Sequence, residues 1–248
     1  MAKEQKDKRS LRGERYFRWR SRDVTRLENL SDIVFALSLT LIVALSVPET
    51  FVELKTLWRE AIAIAFSFAL ILLIWSKHHV FFRRYDLEDG FTVLINSIIL
   101  FLIMIFAYPL KFMATFLVNF FTGNFETNEQ ISSVLSLTDV PWLLAIYATG
   151  YAAVFGLFAL LYAHALRRAD VLDLSEPEKI MTRLEVDQGL ASVGVSALAI
   201  VLAFMLPQGW STMAGGIYFL IGPIMGWLSA RARKHAQAAQ ASAGGAVS

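Results

Sequence analysis

The chain has 248 residues, of which 56% are hydrophobic and 18% are charged, and its formal net charge is +2. Its mean hydropathy of +0.52 is well above that of soluble domains, which is typical of an integral membrane protein. The complete absence of cysteine excludes disulfide bonds, thiolate metal sites and thiol nucleophiles.

Residues 1–25 form a basic leader with interleaved aromatic residues. A stretch of this kind could bind nucleic acid, but directly before a membrane span it is more typical of a basic flank that contacts anionic lipid headgroups. We therefore predict a cytoplasmic leader and no nucleic-acid partner. No cleavable signal peptide is predicted, because no small-residue cleavage site follows a short apolar core.

Six apolar runs follow, each long enough to cross the hydrocarbon as a helix, which takes about 20 residues. They are Leu30–Val47, Glu60–Phe82, Phe91–Phe121, Val140–Leu166, Gln188–Leu206 and Ser211–Ala230. The runs lack strict alternation of polar and apolar residues, which favours helices over a transmembrane barrel. We predict an all-α membrane domain over residues 26–235 and a disordered tail over residues 236–248, which are rich in Ala, Gln, Ser and Gly.

Basic residues predict the orientation of these spans. They cluster in the leader, between the second and third spans, between the fourth and fifth, and after the sixth, whereas the alternate connections are poorer in them. Because short cytoplasmic connections carry the excess of Lys and Arg, both termini are predicted to be cytoplasmic.

The first span is unusual because it contains four polar side chains, which are Ser31, Asp32, Ser38 and Thr40. In hydrocarbon such groups cost several kcal/mol unless they find a partner or face water, so this helix is predicted to form an interface or a pathway. One helix with a narrow polar stripe cannot enclose a conduit alone. A conduit would therefore need several copies of the chain, and closed symmetric assemblies are the usual oligomers.

The same segment resembles a known family. Arg26, Leu30, Ser31 and Asp32 are similar to the Arg-x-x-x-Phe-Ser-Asp signature of the transmembrane protein 175 family, the endosomal and lysosomal potassium channels and their prokaryotic relatives, with Leu30 in place of Phe. Further matches in the same order are Trp75, His78, His79, Phe82, Asn96 and Pro109. The resemblance spans about residues 26–230. It implies six transmembrane helices per chain in a homotetramer, with a central pore lined by helix 1.

Helical spacing and the resemblance together select a pore face. Leu37, Thr40 and Ala44 lie at i, i+3 and i+7 on one stripe, and they match the family's pore-lining layers. The resemblance implies a hydrophobic constriction at Leu37, a hydroxyl ring at Thr40 and a second apolar layer at Ala44, where the constriction is wide or absent because Ala is small. Leu41 is the candidate if the helix is rotated. The alternative is ordinary packing, in which Thr40 bonds the carbonyl one turn back and the Leu stripe contacts other helices.

The remaining signature residues are interpreted as a structural network at one end of the bundle. They are Arg26, Ser31, Asp32, Trp75, His78, His79 and Asn96. A cation, an acid, imidazoles and an amide at one depth can satisfy one another by hydrogen bonds, which is the condition for burying them. Asp32 is alternatively an attractor of cations, and His78 or His79 is alternatively a pH sensor.

We therefore predict a potassium-preferring cation channel with passive permeation, in a prokaryotic plasma membrane. Its partners are copies of itself, the lipid bilayer and monovalent cations, with K⁺ as permeant ion and no cofactor or metal. The alternatives are a proton- or cation-coupled secondary transporter and a non-conducting scaffold. No phosphate loop, zinc-site spacing or catalytic triad signature is present, so enzyme activity is not expected.

Overall fold

A computed structural model describes residues 16–21, 24–44, 51–121, 138–207 and 211–245. Over these residues the chain is helical, with no strand. The helices are α1 (Arg26–Ala44), α2 (Phe51–Tyr85), α3 (Gly90–Phe121), α4 (Val140–Arg167), α5 (Glu176–Met205), a 3₁₀ helix (Ser211–Leu220) and α6 (Ile221–Gly245). Residues 1–15 and 22–23 of the predicted leader, residues 45–47 of the predicted first span and residues 246–248 of the predicted tail lie outside the described residues.

Six of the described helices are long and apolar enough to span a membrane, which confirms the all-α prediction of six spans. Several of them begin differently from the prediction. Helices α1 and α2 begin at Arg26 and Phe51, four and nine residues before the predicted Leu30 and Glu60. The fifth helix begins at Glu176, twelve residues before the predicted Gln188, and the sixth span begins as a 3₁₀ helix. The early start of α5 follows from its first turn, where the Glu178 carboxylate accepts hydrogen bonds from the Ser175 N–H (2.8 Å) and hydroxyl (3.0 Å).

The bundle has two halves of three helices each. Helices α1, α2 and α3 pack against one another. In the other half, α5 packs against both α4 and α6, and the 3₁₀ helix contacts all three, while contacts between α3 and α4 join the halves. The core at this junction is aromatic, since Phe81, Phe82 and Tyr85 of α2 are fully buried and Phe81 meets Tyr162 of α4 edge-on at 5.2 Å. Burial of large aromatic side chains therefore fixes the first half against the second.

Helices α4 and α5 approach closely because Gly189 lies at their contact. A Cβ atom at this position would lie 2.7 Å from the Cβ of Ala159 and 2.9 Å from the carbonyl oxygen of Phe155. Such close approach through small residues is a common way to pack helices in membranes, where no hydrophobic driving force draws them together.

The C-terminal segment differs from its prediction. Composition predicted disorder from residue 236, but α6 continues as a helix to Gly245. Alanine is the strongest helix former, and residues 236–243 contain five alanines. A low content of large apolar residues excluded a core in this segment but did not exclude a helix.

Candidate pore helix and the polar network behind it

Helix α1 has two distinct faces. Its buried residues recur every three or four positions and are Glu28, Ser31, Phe35, Ser38 and Ile42. The opposite face is exposed on the protomer, with 57% of Ile33 and 52% of Leu37 accessible. An apolar face of this kind within a membrane contacts either lipid or another chain.

The predicted pore positions all lie on the exposed side of α1. At about 100° per residue, Leu37, Thr40 and Ala44 project about 140–160° away from the mean direction of the buried residues. Leu41 projects only about 100° from that direction, at the flank of the exposed face. Ile33, which the sequence analysis did not single out, lies on the same stripe as Leu37, one turn nearer the start of the helix.

The hydroxyl of Thr40 is bonded within its own helix. Its Oγ1 donates to the carbonyl oxygen of Ala36 at 2.9 Å, as the packing alternative expected. Because the proton is directed back to the helix, the lone pairs of Oγ1 are left toward the exposed face. The bond to Ala36 therefore leaves Thr40 able to act as an oxygen ligand.

Behind α1, three of the predicted network residues form one buried chain of hydrogen bonds. Ser31 Oγ donates to the carbonyl of Leu27 (2.8 Å) and accepts from Asn96 Nδ2 (3.1 Å). Asn96 Oδ1 lies 2.7 Å from His78 Nε2, and since a carbonyl oxygen only accepts, the imidazole donates. Ser31 and Asn96 are fully buried and His78 nearly so, which ties α1, α3 and α2 together.

Three other signature residues form a separate, more exposed group. Trp75 Nε1 donates to Asp32 Oδ1 at 2.7 Å, and the Trp75 indole stacks on the His79 imidazole with centroids 5.5 Å apart. Arg26, the first residue of α1, is exposed, and no contact among the described residues joins it to either group. The predicted single network is thus two groups, because Ser31 and Asp32 are neighbours on a helix and point about 100° apart.

Comparison with known proteins identifies the family. A family model described as the endosomal/lysosomal potassium channel TMEM175 matches residues 26–109. A potassium channel of Marivirga tractuosa is 37% identical over 216 residues, which are 84% of this chain and 87% of the relative. The chain belongs to the TMEM175 family. A second relative, a potassium channel of Chamaesiphon minutus, is 31% identical over 103 residues, 38% of this chain and 51% of that one.

Solved structures agree with this membership of the TMEM175 family. A crystal structure of a variant of the potassium channel MtTMEM175, in complex with a nanobody–MBP fusion protein, has a TM-score of 0.77 and 34% identity, and covers 88% of this chain and 97% of that chain. A crystal structure of a lysosomal potassium-selective channel TMEM175 homologue from Chamaesiphon minutus has a TM-score of 0.54 and 21% identity, covering 84% and 96%. The second likeness shows the fold alone.

Sequence reasoning missed an ionic layer between the halves of this TMEM175 family member. Glu185 of α5 bonds Lys77 (3.2 Å) and Arg84 (3.4 Å) of α2, and Tyr85 shares a buried 2.7 Å hydrogen bond with Thr182. The charges were visible in the sequence, but their pairing joins residues about a hundred positions apart. The only local indication was a run of acids and bases at the start of a long apolar helix.

A second missed cluster surrounds Asp89, which precedes α3. Its Oδ1 accepts from the Thr92 N–H (2.9 Å) and hydroxyl (2.7 Å), and its Oδ2 lies 2.6 Å from His164 Nε2 and 3.1 Å from Arg168 Nη2. Desolvation opposes ionisation, but these hydrogen bonds and the neighbouring imidazole outweigh it and lower the pKa of Asp89 to about 2. The cluster anchors the start of α3 to the end of α4.

Proposed function

We propose that this protein is a potassium-preferring cation channel that conducts passively through a homotetrameric pore formed by four copies of α1. The observation that carries the proposal is the two-faced character of α1. One face is fixed in the protomer by Phe35, Ile42 and the Ser31 hydrogen bonds, while over residues 33–44 the opposite face presents apolar side chains and the single hydroxyl of Thr40. A face with that composition suits a narrow conduit between copies better than lipid alone.

Leu37 is the proposed hydrophobic constriction. Four Leu side chains facing a common axis close a pore by excluding water, a gating mode used by other channels. Thr40 is the proposed oxygen ring that replaces part of the hydration shell of K⁺. Ala44 forms the wide layer beyond it, and Leu41, which lies at the flank, contacts the neighbouring copy of α1.

Relatives support a channel over a coupled carrier. Both of the relatives described above are named potassium channels, and the structure that is 34% identical is of a protein described as a potassium channel. Asp32 suggested a carrier in the sequence, but it bonds the Trp75 indole on the exposed side of the bundle. We assign it, with Ser31, Trp75, His78, His79 and Asn96, to structure and not to ion binding.

The protein is an integral membrane protein. We infer that it lies in a prokaryotic plasma membrane with both termini in the cytoplasm, from its single six-span unit and the distribution of its basic residues. No cofactor is part of the proposal. In this proposal the protein interacts with the permeant ion, the lipid bilayer and three other copies of the chain.

Flux from potassium-loaded liposomes tests the proposal. We expect Leu37→Ala to raise the flux at least about tenfold, which corresponds to about 1.4 kcal/mol off the barrier. Thr40→Ala should lower the preference for potassium over sodium without abolishing flux. The matched control is Val43→Ala, which shortens an exposed aliphatic side chain about 120° from Leu37 on the same helix and should change neither quantity.

The same experiment separates the competing functions. Saturating flux coupled in fixed ratio to a second ion would favour a transporter. Absence of flux from the parent and from all variants, with the tetramer shown intact by light scattering, would contradict the channel and favour a scaffold.

A further inference from the structure

Residues 16–21, here called the leader strap, lie across the junction between the two halves of the bundle. Phe17 packs edge-on against Tyr85 with ring centroids 6.0 Å apart, and the guanidinium of Arg84 lies 4.2 Å from the centre of the Phe17 ring. The backbone N–H of Arg20 donates to the carbonyl oxygen of Arg83 at 3.1 Å. These contacts attach the strap to the end of α2, in the first half.

One side chain attaches the strap to the second half. The guanidinium of Arg20 donates to both carboxylate oxygens of Glu178, at 3.0 and 3.1 Å, and its Nε donates to the carbonyl oxygen of Leu172 at 2.9 Å. A further bond runs to the carbonyl of Arg84 at 3.0 Å. Only 11% of the Arg20 side chain and 4% of the Glu178 side chain are exposed.

The ion pair of Arg20 and Glu178 is expected to contribute most of the free energy that holds the strap in place. Glu178 also accepts the backbone N–H of Arg18 at 3.0 Å, so both of its oxygens are occupied by the strap. Removing one partner of a buried pair leaves the other charge uncompensated, which is strongly destabilising. The neighbouring pair, Arg18 with Asp173, has side chains 60% and 87% exposed, and a pair in that setting contributes little.

The strap precedes the proposed pore helix closely in the chain, since Arg20 stands six positions before the first residue of α1, with residues 22–23 outside the described residues. Its contacts lie on α2, α5 and the connection before α5. Helix α2 also packs against α1, whose buried face is opposite its exposed stripe. The strap is therefore attached to the helix that lies behind α1.

We propose that Arg20 and Glu178 are positioning residues for the pore helix. They hold the start of each α1 back against its own protomer, so loss of the pair lets the four ends approach the axis and lowers the open probability. The inference rests on the proposed function, in which α1 lines the pore. Because the pair is remote from Leu37 and Thr40, it sets how often the pore is open and not what an open pore passes.

Single-channel recording of the reconstituted full-length tetramer tests the pair. Arg20→Gln and Glu178→Gln should each lower the open probability at least about fivefold, given that a tenfold change corresponds to only about 1.4 kcal/mol. Unitary conductance and the potassium-to-sodium permeability ratio should stay at the parent values. Arg18→Gln, two residues away in the same strap, is the matched control and should behave as the parent.

Amide hydrogen exchange reports separately on the strap itself. The N–H groups of Arg18 and Arg20 are bonded to Glu178 and Arg83, so exchange at residues 17–21 should rise in Glu178→Gln. An unchanged or raised open probability in a tetramer whose strap exchanges faster would overturn the proposal. A changed unitary conductance or permeability ratio would also contradict it, since a merely structural defect moves all three quantities.

Two further comparisons keep the outcomes distinct. Should Arg20→Gln not assemble, Arg20→Lys keeps the charge but loses the two-pronged geometry, and it is judged by the same criteria with a smaller expected loss. A different result would contradict the proposed function itself. Conduction that Leu37→Ala and Thr40→Ala leave unaltered would remove α1 from the pore whatever the strap variants do.

Discussion

Asn96→Ala is expected to destabilise the protein through a single orphaned donor. Asn96 is fully buried and bridges Ser31 to His78. Without the amide, His78 Nε2 has no acceptor among the described residues, while Ser31 keeps its bond to the Leu27 carbonyl and loses only an incoming donor.

The magnitude follows from the cost of an unpaired buried donor. In soluble proteins that cost is about 1–3 kcal/mol. In membranes the measured worth of a hydrogen bond averages about 0.6 and reaches about 1.7 kcal/mol, because the unfolded chain in lipid also finds partners. The small cavity left by the truncation adds to the lower figure. We therefore expect a loss of about 1–2 kcal/mol in the free energy of unfolding.

The assay is reversible unfolding in mixed micelles at one fixed protomer concentration, because the stability of an oligomer depends on concentration. Ser97→Ala is the control, since Ser97 is the next residue, is exposed and bonds only the Val93 carbonyl of its own helix (2.8 Å) among the described contacts. It should change stability by less than about 0.5 kcal/mol. An effect of Asn96→Ala no larger than that of Ser97→Ala would refute the reasoning.

Two further predictions concern contacts between helices, one at the junction between the halves and one within the second half. The pKa of Asp89 is about 2, below the ordinary 3.8, so its ion pairs add stability that is present above about pH 4 and lost as the pH falls through 2. Unfolding free energies from pH 5 to pH 2 should fall more steeply for the parent than for Asp89→Asn, and equal slopes would contradict this. Gly189→Ala should cost about 1–3 kcal/mol by overpacking against Ala159. Gly194→Ala on the same helix, where an added Cβ meets nothing within 4 Å, should be neutral or stabilising. Thermal melts of the parent and of both glycine variants measure the difference.

Much of the fold could be predicted from the sequence, because apolar length alone specifies a membrane helix. The predicted ends of the helices were wrong where a helix contains many charged residues. Residues 176–187 carry six charged side chains, which is typical of a connection, yet they form the first turns of α5, with Glu178 capping the helix and Glu185 paired to α2. Local composition cannot show that a charge has a partner a hundred residues away.

The candidate site was predicted in part. The stripe of Leu37, Thr40 and Ala44 lies on the exposed face of α1, and Ser31, His78 and Asn96 meet as one buried group. Arg26 and Asp32 do not join that group, because neighbouring positions of a helix point in different directions. Ile33 was not singled out, since an apolar residue at helical spacing is indistinguishable from packing in a single sequence.

The two faces of α1 also divide the constraints on its sequence. Side chains at positions 37, 40 and 44 touch no other helix of their protomer closely enough to be buried, so exchanging them changes folding free energy little, within about 0.5 kcal/mol for an exposed position. The other face holds the buried residues Ser31, Phe35 and Ile42. Substitutions there would lower the free energy of unfolding. In the proposed pore, conductance and ion preference can therefore drift or be redesigned on an unchanged scaffold, which would let one architecture serve membranes with different ionic requirements.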